Sequence, residues 1–378
     1  VISTIGDETC RAFIPNSLPP TPKLDITARL QDTIDRSLLA LGGLNNLSTL
    51  IPDPSLFLYM YVRKEAYLSS QIEGTQSSFT DLLLHESKQI PGVPTDDLVE
   101  VSNYVAAVYH GIDRIKNGFP LSLRLIREMH QILLNTGRGS KREPGEFRKS
   151  QNWIGGDRPG NAIFVPPPAD KVMECLGDLE KFLHNDPVKT PVLIKAALAH
   201  VQFETIHPFL DGNGRLGRLL VTLILCSENA LSDPILYLSL YFKNRRQEYY
   251  DLLQRVRTEG EWEDWLLFFM NGVKETSEQA LQTAAALVQL FNEDRESIQS
   301  YGKQAGSILR VHHIMQRIPI AYIAEIAEQT KLSKPTVLRA LEKLGNLGIV
   351  EEITGRRRDR MFVYKKYFDI LKEGTQPI

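Results

Sequence analysis

One segment constrains this chain more than any other: His207-Pro208-Phe209-Leu210-Asp211-Gly212-Asn213-Gly214-Arg215-Leu216-Gly217-Arg218. It holds a base, an acid, a two-glycine turn and two arginines. It lies between stretches of helical character, Ala196 to Ile206 before it and the apolar run Leu219 to Leu225 after it. A glycine-rich turn at a helix start aims backbone N–H groups at an anion, and the helix dipole adds partial positive charge there. Arg215 and Arg218 are three apart, so they share a helix face and can both reach phosphate oxygens. Asp211 is a hard oxygen ligand suited to a magnesium ion that bridges phosphates. His207 titrates near neutral pH and can deprotonate an attacking hydroxyl.

Two other readings compete. A satisfied polar cluster at a helix start needs the same residue types. Gly212, Gly214 and Gly217 also spell the G-x-G-x-x-G of a dinucleotide fold. That fingerprint follows a buried strand and precedes an acidic residue about 20 positions on. Here a helix precedes it, and Pro234 to Leu238 offers no acid at a strand end.

The segment resembles the Fic family signature, H-x-F-x-(D/E)-G-N-G-R-x-x-R, at every fixed position. The resemblance implies transfer of AMP from Mg-ATP to a Ser, Thr or Tyr hydroxyl of a target protein, with release of pyrophosphate. On that expectation His207 is the catalytic base and Asp211 holds Mg2+. Gly212, Asn213 and Gly214 cradle phosphates, the Asn213 side chain assisting, and Arg215 and Arg218 neutralise the β- and γ-phosphates. Leu216 and Gly217 complete the ATP-binding stretch.

Three further constellations fit the same family. Ser69-Ser70-Gln71-Ile72-Glu73-Gly74 is similar to its inhibitory motif, (S/T)-x-x-x-E-(G/N), with Ser69, Glu73 and Gly74 matching. The resemblance pairs Glu73 with Arg218, and an arginine held in such a pair cannot also grip a γ-phosphate. The plain alternative is an exposed glutamate in the last turn of a helix. Gly145 to Arg148, Gln151 to Gly156 and Ala162 to Pro168 resemble the family's flap, a β-hairpin with turn chemistry at Gly155, Gly156, Pro159, Gly160 and Asn161. Asn161, Ala162, Ile163, Phe164 and Val165 are expected to register a target segment by strand addition; an ordinary loop is the other reading. Tyr249, within Tyr249-Tyr250, is expected to line an adenine pocket, and Arg257 two turns on to face it. Packing into the core is the alternative for either tyrosine.

The chain has 378 residues, enough for two or three domains, and a formal charge of −2, which excludes a generic polyanion binder. Its three cysteines, Cys10, Cys175 and Cys226, are too few and too scattered for a disulfide framework, and no metal-ligand spacing appears. No run approaches a membrane span of about 20 residues, and no leader pattern opens the sequence. A cytoplasmic location and a homo-oligomer without membrane contact are expected. The sequence opens at Val1, so residues are expected ahead of it.

Residues 1–24, rich in Pro and Ser, read as an irregular arm. Helices are expected from Pro52–Pro54 to Gly74, from Asp97 to Asn117 and from Leu123, capped by Ser122, to Thr136. Others are expected over Ala169 to Leu183, Val188 to Ile206, Arg215 to about Asn229, Arg245 to Thr258 and Glu263 to about Ser297. From Leu309 the character changes. Ile320 to Thr330 reads as one helix, and Ser333 caps a second running to Leu344, with Pro335 in its first turn. Ile349 to Ile353 and Met361 to Tyr364 read as strands around an arginine-rich tip. This order resembles a winged helix-turn-helix. Lys334, Thr336 and Arg339 would lie on its recognition helix, and Arg356, Arg357 and Arg358 on its wing, the chemistry of a DNA partner. Winged helices also serve protein contacts and dimerisation.

The expected fold is mainly α: a Fic-type helical core with a small β-hairpin flap, plus a C-terminal winged-helix domain. The expected divisions are an N-terminal region with the inhibitory helix over 1–110, a catalytic core over 111–275, and a linker helix with the winged helix over 276–378. A DNA-binding regulator whose Fic domain senses nucleotide is one alternative. Removal of AMP, with Glu73 positioning a water, is another.

Overall fold

The computed structural model describes residues 1–5, 8–47, 54–75, 77–86, 95–356 and 358–376. Pro52 and Arg357 lie outside the described residues. The chain divides into two compact units, one of residues 1–45, 61–75 and 95–278, the other of residues 46–60, 76–94 and 279–378.

The first unit opens with an antiparallel hairpin, β1 (Ile2–Ile5) and β2 (Glu8–Arg11), in which Ile2 faces Arg11. The expected irregular arm therefore begins only after Arg11. Two four-residue strands are too short to display a period, although Ile and Thr favour the pleat. Next comes α1 (Ala28–Asn45), which no sequence signal had suggested. The Thr27 hydroxyl accepts from the Leu30 amide at its start, and Leu30, Ile34, Ser37, Leu41 and Leu44 form its buried stripe. Helix α2 (Pro54–Ile72) starts on a proline and turns off at Gly74, whose φ of 99° is the left-handed geometry expected there.

After α3 (Phe79–Glu86), which belongs to the second unit, the first continues with α4 (Thr95–Lys116) and α5 (Leu123–Leu133). Asp96 and Asp97 open α4, and Arg114 and Lys116 close it, both favourable to the helix dipole. Ser122 caps α5 by accepting from Leu125, but the helix ends at Leu133 rather than Thr136, because Gly137 takes a φ of 80°. Helices α6 (Val172–Leu183), α7 (Val192–Ile206), α8 (Asn213–Ser227), α9 (Ser239–Asn244) and α10 (Arg246–Glu259) follow, and then α11 (Trp262–Gln299) begins.

Helix α7 is buried at every position from Leu193 to Ile206, and α8 nearly so. A helix apolar all round belongs at the centre of a core. The two pack tightly at Gly217, where a Cβ would overlap the Glu204 carboxylate. Gly111 on α4 serves α8 and α5 the same way: a Cβ there would sit 2.8 Å from Met129 Sδ and 2.9 Å from Leu223 Cδ2.

In the second unit, α12 (Ala305–Arg317), α13 (Ile323–Thr330) and α14 (Lys334–Asn346) pack with a sheet of order β3-β5-β4, and α15 (Lys365–Lys372) follows. The strands are β3 (Ile320–Tyr322), β4 (Val350–Glu352) and β5 (Met361–Tyr364). The single helix expected over 320–330 is thus a strand, then a helix. Ile320 pairs with Val363, 43 positions along the chain, and the Tyr322 amide donates to Glu325 to start α13. That distant partner overrides local propensity. Ser333 caps α14 as expected. No described helix is long and apolar enough to cross a membrane.

Gly111→Val is expected to overfill the α4–α5–α8 junction and cost about 1–3 kcal/mol. A lowered denaturant midpoint at constant slope would register the loss; a wild-type midpoint would show that Met129 can move aside.

Candidate active site

The loop from His207 to Gly212 joins α7 to α8, and both its ends are left-handed, His207 at φ 47° and Gly212 at φ 76°. Its turn is held from within. Asn213 accepts from the Phe209 amide through Oδ1 and donates to the Phe209 carbonyl through Nδ2, both at 2.9 Å. The Asn213 side chain is therefore committed to the loop, a correction to the expectation that it assists phosphate binding.

Three residues brace the loop from outside. His130 stacks on the Phe209 ring at 3.6 Å. Its Nδ1 accepts from the Gly145 amide at 2.8 Å, so Nε2 carries the proton and donates to the Asp211 carbonyl at 3.0 Å. Buried Arg148 donates to the carbonyls of His207 (3.0 Å), Ile206 (3.3 Å) and Pro167 (2.5 Å). Asn152 Nδ2 donates to the carbonyls of His207 and Phe209. His130 had no sequence signal; it is a lone histidine 77 positions before His207.

At the start of α8 the amides of Asn213, Gly214 and Arg215 find no backbone acceptor among the described residues, as first-turn amides do. Glu73 lies over them: a Cβ on Gly214 would overlap its carboxylate. Arg218, 4% exposed, donates to Glu73 Oε1 at 2.7 Å, to Ser69 Oγ at 2.9 Å and to the Ser69 carbonyl at 3.0 Å. Burial pushes the Glu73 carboxyl up, but Arg218, supported by Arg215 and His207, outweighs it and holds the group below the usual carboxylate range.

Arg215 points to a different partner. Its Nη1 lies 3.3 Å from Glu100, which is 1% exposed and also pairs with Arg138 at 3.0 Å. Its Nη2 is 3.5 Å from Asp211 Oδ1. Asp211 is 34% exposed, with Oδ1 accepting from the Gly212 amide at 2.6 Å. Glu100 was not singled out from sequence, since it lies more than a hundred positions from Arg215.

The His207 imidazole is 21% exposed, and its buried Nδ1 has no hydrogen-bond partner among the described residues. Burial first, and the nearby Arg257 charge next, lower its pKa to about 4, so the ring is neutral at pH 7. His200 faces the Gly217 carbonyl through Nδ1 (2.9 Å) and the Tyr249 hydroxyl through Nε2 (2.8 Å). Tyr249, 1% exposed, stacks on Phe242 at 4.6 Å. It is a core residue with its hydroxyl engaged. Tyr250, 38% exposed, is the tyrosine with an open ring, and Glu73 and Arg218 act on it electrostatically. Arg257 likewise differs from expectation: it donates to Thr205 Oγ1 and the Glu204 carbonyl, both at 3.2 Å, and lies over the Phe164 ring at 4.2 Å. It ties the end of α7 to the flap.

The flap's two arms meet at Ile154 and Phe164, which exchange both backbone hydrogen bonds (2.8 and 3.1 Å). Asn161 turns the tip by accepting from the Arg158 amide. Ile163 is 70% exposed, while Ala162 and Val165 pack with Cys10 and Ala12 of the N-terminal hairpin. In the second unit Lys334, Arg339, Arg356 and Arg358 are exposed. Thr336 is half-buried, with its hydroxyl 2.8 Å from Ser333 Oγ.

Residues 120–225, which contain this loop and both its helices, match the Fic/DOC family, and residues 32–113 match the Fic/DOC family N-terminal region. The chain carries a Fic/DOC domain. Residues 314–352 match the bacterial regulatory protein arsR family, in line with the winged helix of the second unit. The Fic/DOC domain is shared with the protein adenylyltransferase Fic of Aedes aegypti, 31% identical over 227 residues, 56% of this chain and 41% of that protein. The Drosophila grimshawi counterpart is 28% identical over 273 residues, 70% of this chain and 53% of its own length. The chain thus spans about half the length of these curated relatives. A Fic family protein from Desulfovibrio desulfuricans shares the fold across 92% of this chain and 98% of its own (TM-score 0.61, 21% identity). Residues 134–508 of Fic-1 from C. elegans share it across 70% of this chain and 74% of that one (TM-score 0.52, 23% identity).

The Fic/DOC domain keeps His130 (pKa about 4), His200 (about 3) and His207 (about 4) neutral by burial, all below the ordinary 6.5. A group with a depressed folded pKa gives stability that is present above its unfolded pKa and lost as pH falls through the folded one. Glu65 and Glu204, raised to about 7 by burial, act in the opposite sense over the same window. The three histidine shifts together are larger, so unfolding free energy is expected to decline from about pH 6.5 to pH 4, less steeply than the histidines alone would give. Denaturant titrations at pH 7, 5.5 and 4 check this; a flat profile would contradict it.

Proposed function

We propose that this protein moves AMP from ATP to a hydroxyl of a target protein, and that Glu73 restrains it. One observation carries the proposal: a neutral histidine, unpaired first-turn amides and an arginine engaged by a replaceable carboxylate converge on one helix start. The polyphosphate lies against the amides of Asn213, Gly214 and Arg215, where donors and the dipole already favour an anion. Arg218 meets the terminal phosphates once Glu73 leaves it. Asp211 fits Mg2+, which takes one or two carboxylates and completes its shell with phosphate oxygens and water. Among the described residues no group of three or more His, Cys, Asp and Glu could hold a metal ion by itself. When bound, that ion neutralises phosphate charge.

His207 takes the proton of the target hydroxyl, whose oxygen then forms a bond to the α-phosphorus as the bond to pyrophosphate breaks. The target segment aligns on the flap at exposed Ile163, since Phe164 is paired with Ile154 and the Val165 carbonyl already accepts from the Phe13 amide, which narrows the expected contact from 161–165. With Glu73 on Arg218 and over Gly214, the γ-phosphate lacks its seat and the α-phosphate is misplaced for in-line attack. The names of the relatives, protein adenylyltransferase Fic, support this reading.

A second activity fits the second unit. Exposed Lys334, Arg339, Arg356 and Arg358, with the match to the arsR family, favour DNA binding through α14 and the wing.

Intact mass after incubation with Mg-ATP is expected to show added AMP on Glu73→Gly protein and little on wild type. His207→Ala in the same background should abolish the addition while ATP still binds. Unchanged mass in Glu73→Gly, even with candidate targets supplied, would refute the proposal. For the wing, Arg356→Ala with Arg358→Ala should weaken DNA retention and reduce the salt slope by about 1–2; retention at wild-type strength would exclude the wing as a contact.

A further inference from the structure

The Glu204 carboxylate has no role in the chemistry above, yet it is one of the least explained groups in the unit. It is 6% exposed, its Oε1 has no hydrogen-bond partner among the described residues, and its Oε2 lies 3.9 Å from His207 Nδ1. Nδ1 is equally orphaned. Nδ1 faces the other oxygen of this carboxylate, Oε2, just beyond hydrogen-bond distance, and a buried ring nitrogen and a buried carboxylate oxygen left unpaired are costly unless the two groups meet in a working state of the site. The space for this carboxylate is made by α8: a Cβ on Gly217 would overlap it. Glu204 lies in the last turn of α7 and His207 is the left-handed residue that ends it, and Gly217 is the hole that lets a charged side chain fit between α7 and α8.

We infer that Glu204 is a positioning residue for His207, its carboxylate holding the proton on Nδ1 so that Nε2 faces the target hydroxyl as the acceptor. This rests on reading His207 as the base. The Glu204 backbone carbonyl, which also accepts from Arg257 at 3.2 Å, is the rival acceptor for Nδ1, and the ring tautomer after side-chain substitution separates the two. On transfer the target O–H bond breaks and its proton goes to Nε2. The oxygen bonds to the α-phosphorus, and pyrophosphate leaves with the electrons of the broken bond. The imidazolium so formed is stabilised by the carboxylate at its other nitrogen.

The groups around Glu204 set when it is charged. Burial raises its pKa to about 7, Arg218 on α8 and Arg257 on α10 oppose that, and Glu73 beyond α2 adds to it. His207 on its own helix and Tyr249 on α10 complete the surroundings.

The test uses the full chain with Glu73→Gly, adding Glu204→Gln or Glu204→Asp. Nitrogen-15 shifts of the histidine rings, with His207 assigned from His207→Ala, report the tautomer without requiring turnover. Glu204→Gln is expected to convert a single Nδ1–H form of His207 to a mixture. It should lower kcat for self-modification roughly 10- to 100-fold with the KM for ATP within about twofold. It should also remove a limb of the pH–rate profile near neutrality. Glu204→Asp, which keeps the charge, should restore part of the rate. An unchanged tautomer with kcat within about twofold of Glu73→Gly would overturn the inference. If Glu73→Gly itself transfers no AMP, the functional reading fails separately, and the tautomer still decides whether Glu204 holds His207.

Discussion

The first unit is organised around a bonding asymmetry in the six residues between α7 and α8. A helix end leaves carbonyls without partners, and a helix start leaves amides without partners. Here most of the carbonyls are taken. Those of Ile206 and His207 receive Arg148, that of Glu204 receives Arg257, that of Pro208 receives the Arg148 amide, and that of Phe209 receives Asn152 and Asn213. The amides of Asn213, Gly214 and Arg215 are left without backbone acceptors. A loop whose acceptors are mostly engaged and whose helix-start amides lack backbone acceptors is polarised toward an anion, and Glu73 is the side chain that lies over that seat. His207 benefits from the same bonds, because its carbonyl is fixed by two donors and its ring direction follows from a left-handed backbone that few other contacts would hold.

Burying two arginines in one turn of α8 would be prohibitive without counter-charge. The nearest counter-charge of each comes from outside the signature, Glu73 after α2 and Glu100 on α4, with Asp211 a second, more distant partner of Arg215. The two pairs differ in exposure. Glu100 is 1% exposed and shared with Arg138, so its loss would strand Arg215 in the core. Glu73 is 32% exposed and reaches in from a turn, so solvent or a phosphate can take its place. The first pair is built to last and the second to exchange, although both arginines sit on one short stretch of helix.

Much of this was legible in sequence because the informative residues are contiguous. The stretch from His207 to Arg218 carries its own turn chemistry, and the Ser69 to Gly74 motif ends on a glycine whose positive φ the structure requires. What was not legible depends on contacts between distant positions. Asn213 was expected to face phosphate because an amide at a helix start can do so, but the Phe209 backbone captures both of its polar atoms. Tyr249 and Tyr250 are indistinguishable in sequence, and only the hydroxyl of His200's neighbour, Tyr249, is drawn inward. The strand at Ile320 depends on Val363, and the role of His130 depends on a stacking partner 79 positions away. Local propensity carries none of this information.

Glycine placement links the packing to the electrostatics. Gly214 and Gly217 lie on successive positions of α8 that face carboxylates, Glu73 over the first and Glu204 over the second. A methyl at either would drive a negative charge away from the arginines and the histidine. These glycines are therefore not needed for φ; both lie inside α8 with ordinary helical backbone. Glycine inside a helix costs about 1 kcal/mol relative to alanine. That cost is offset only if the space it opens is used, and here each opening holds one buried or half-buried acid against the same turn. The helix is weakened at two points so that two carboxylates can approach it, one that blocks the anion seat and one that stands behind the base.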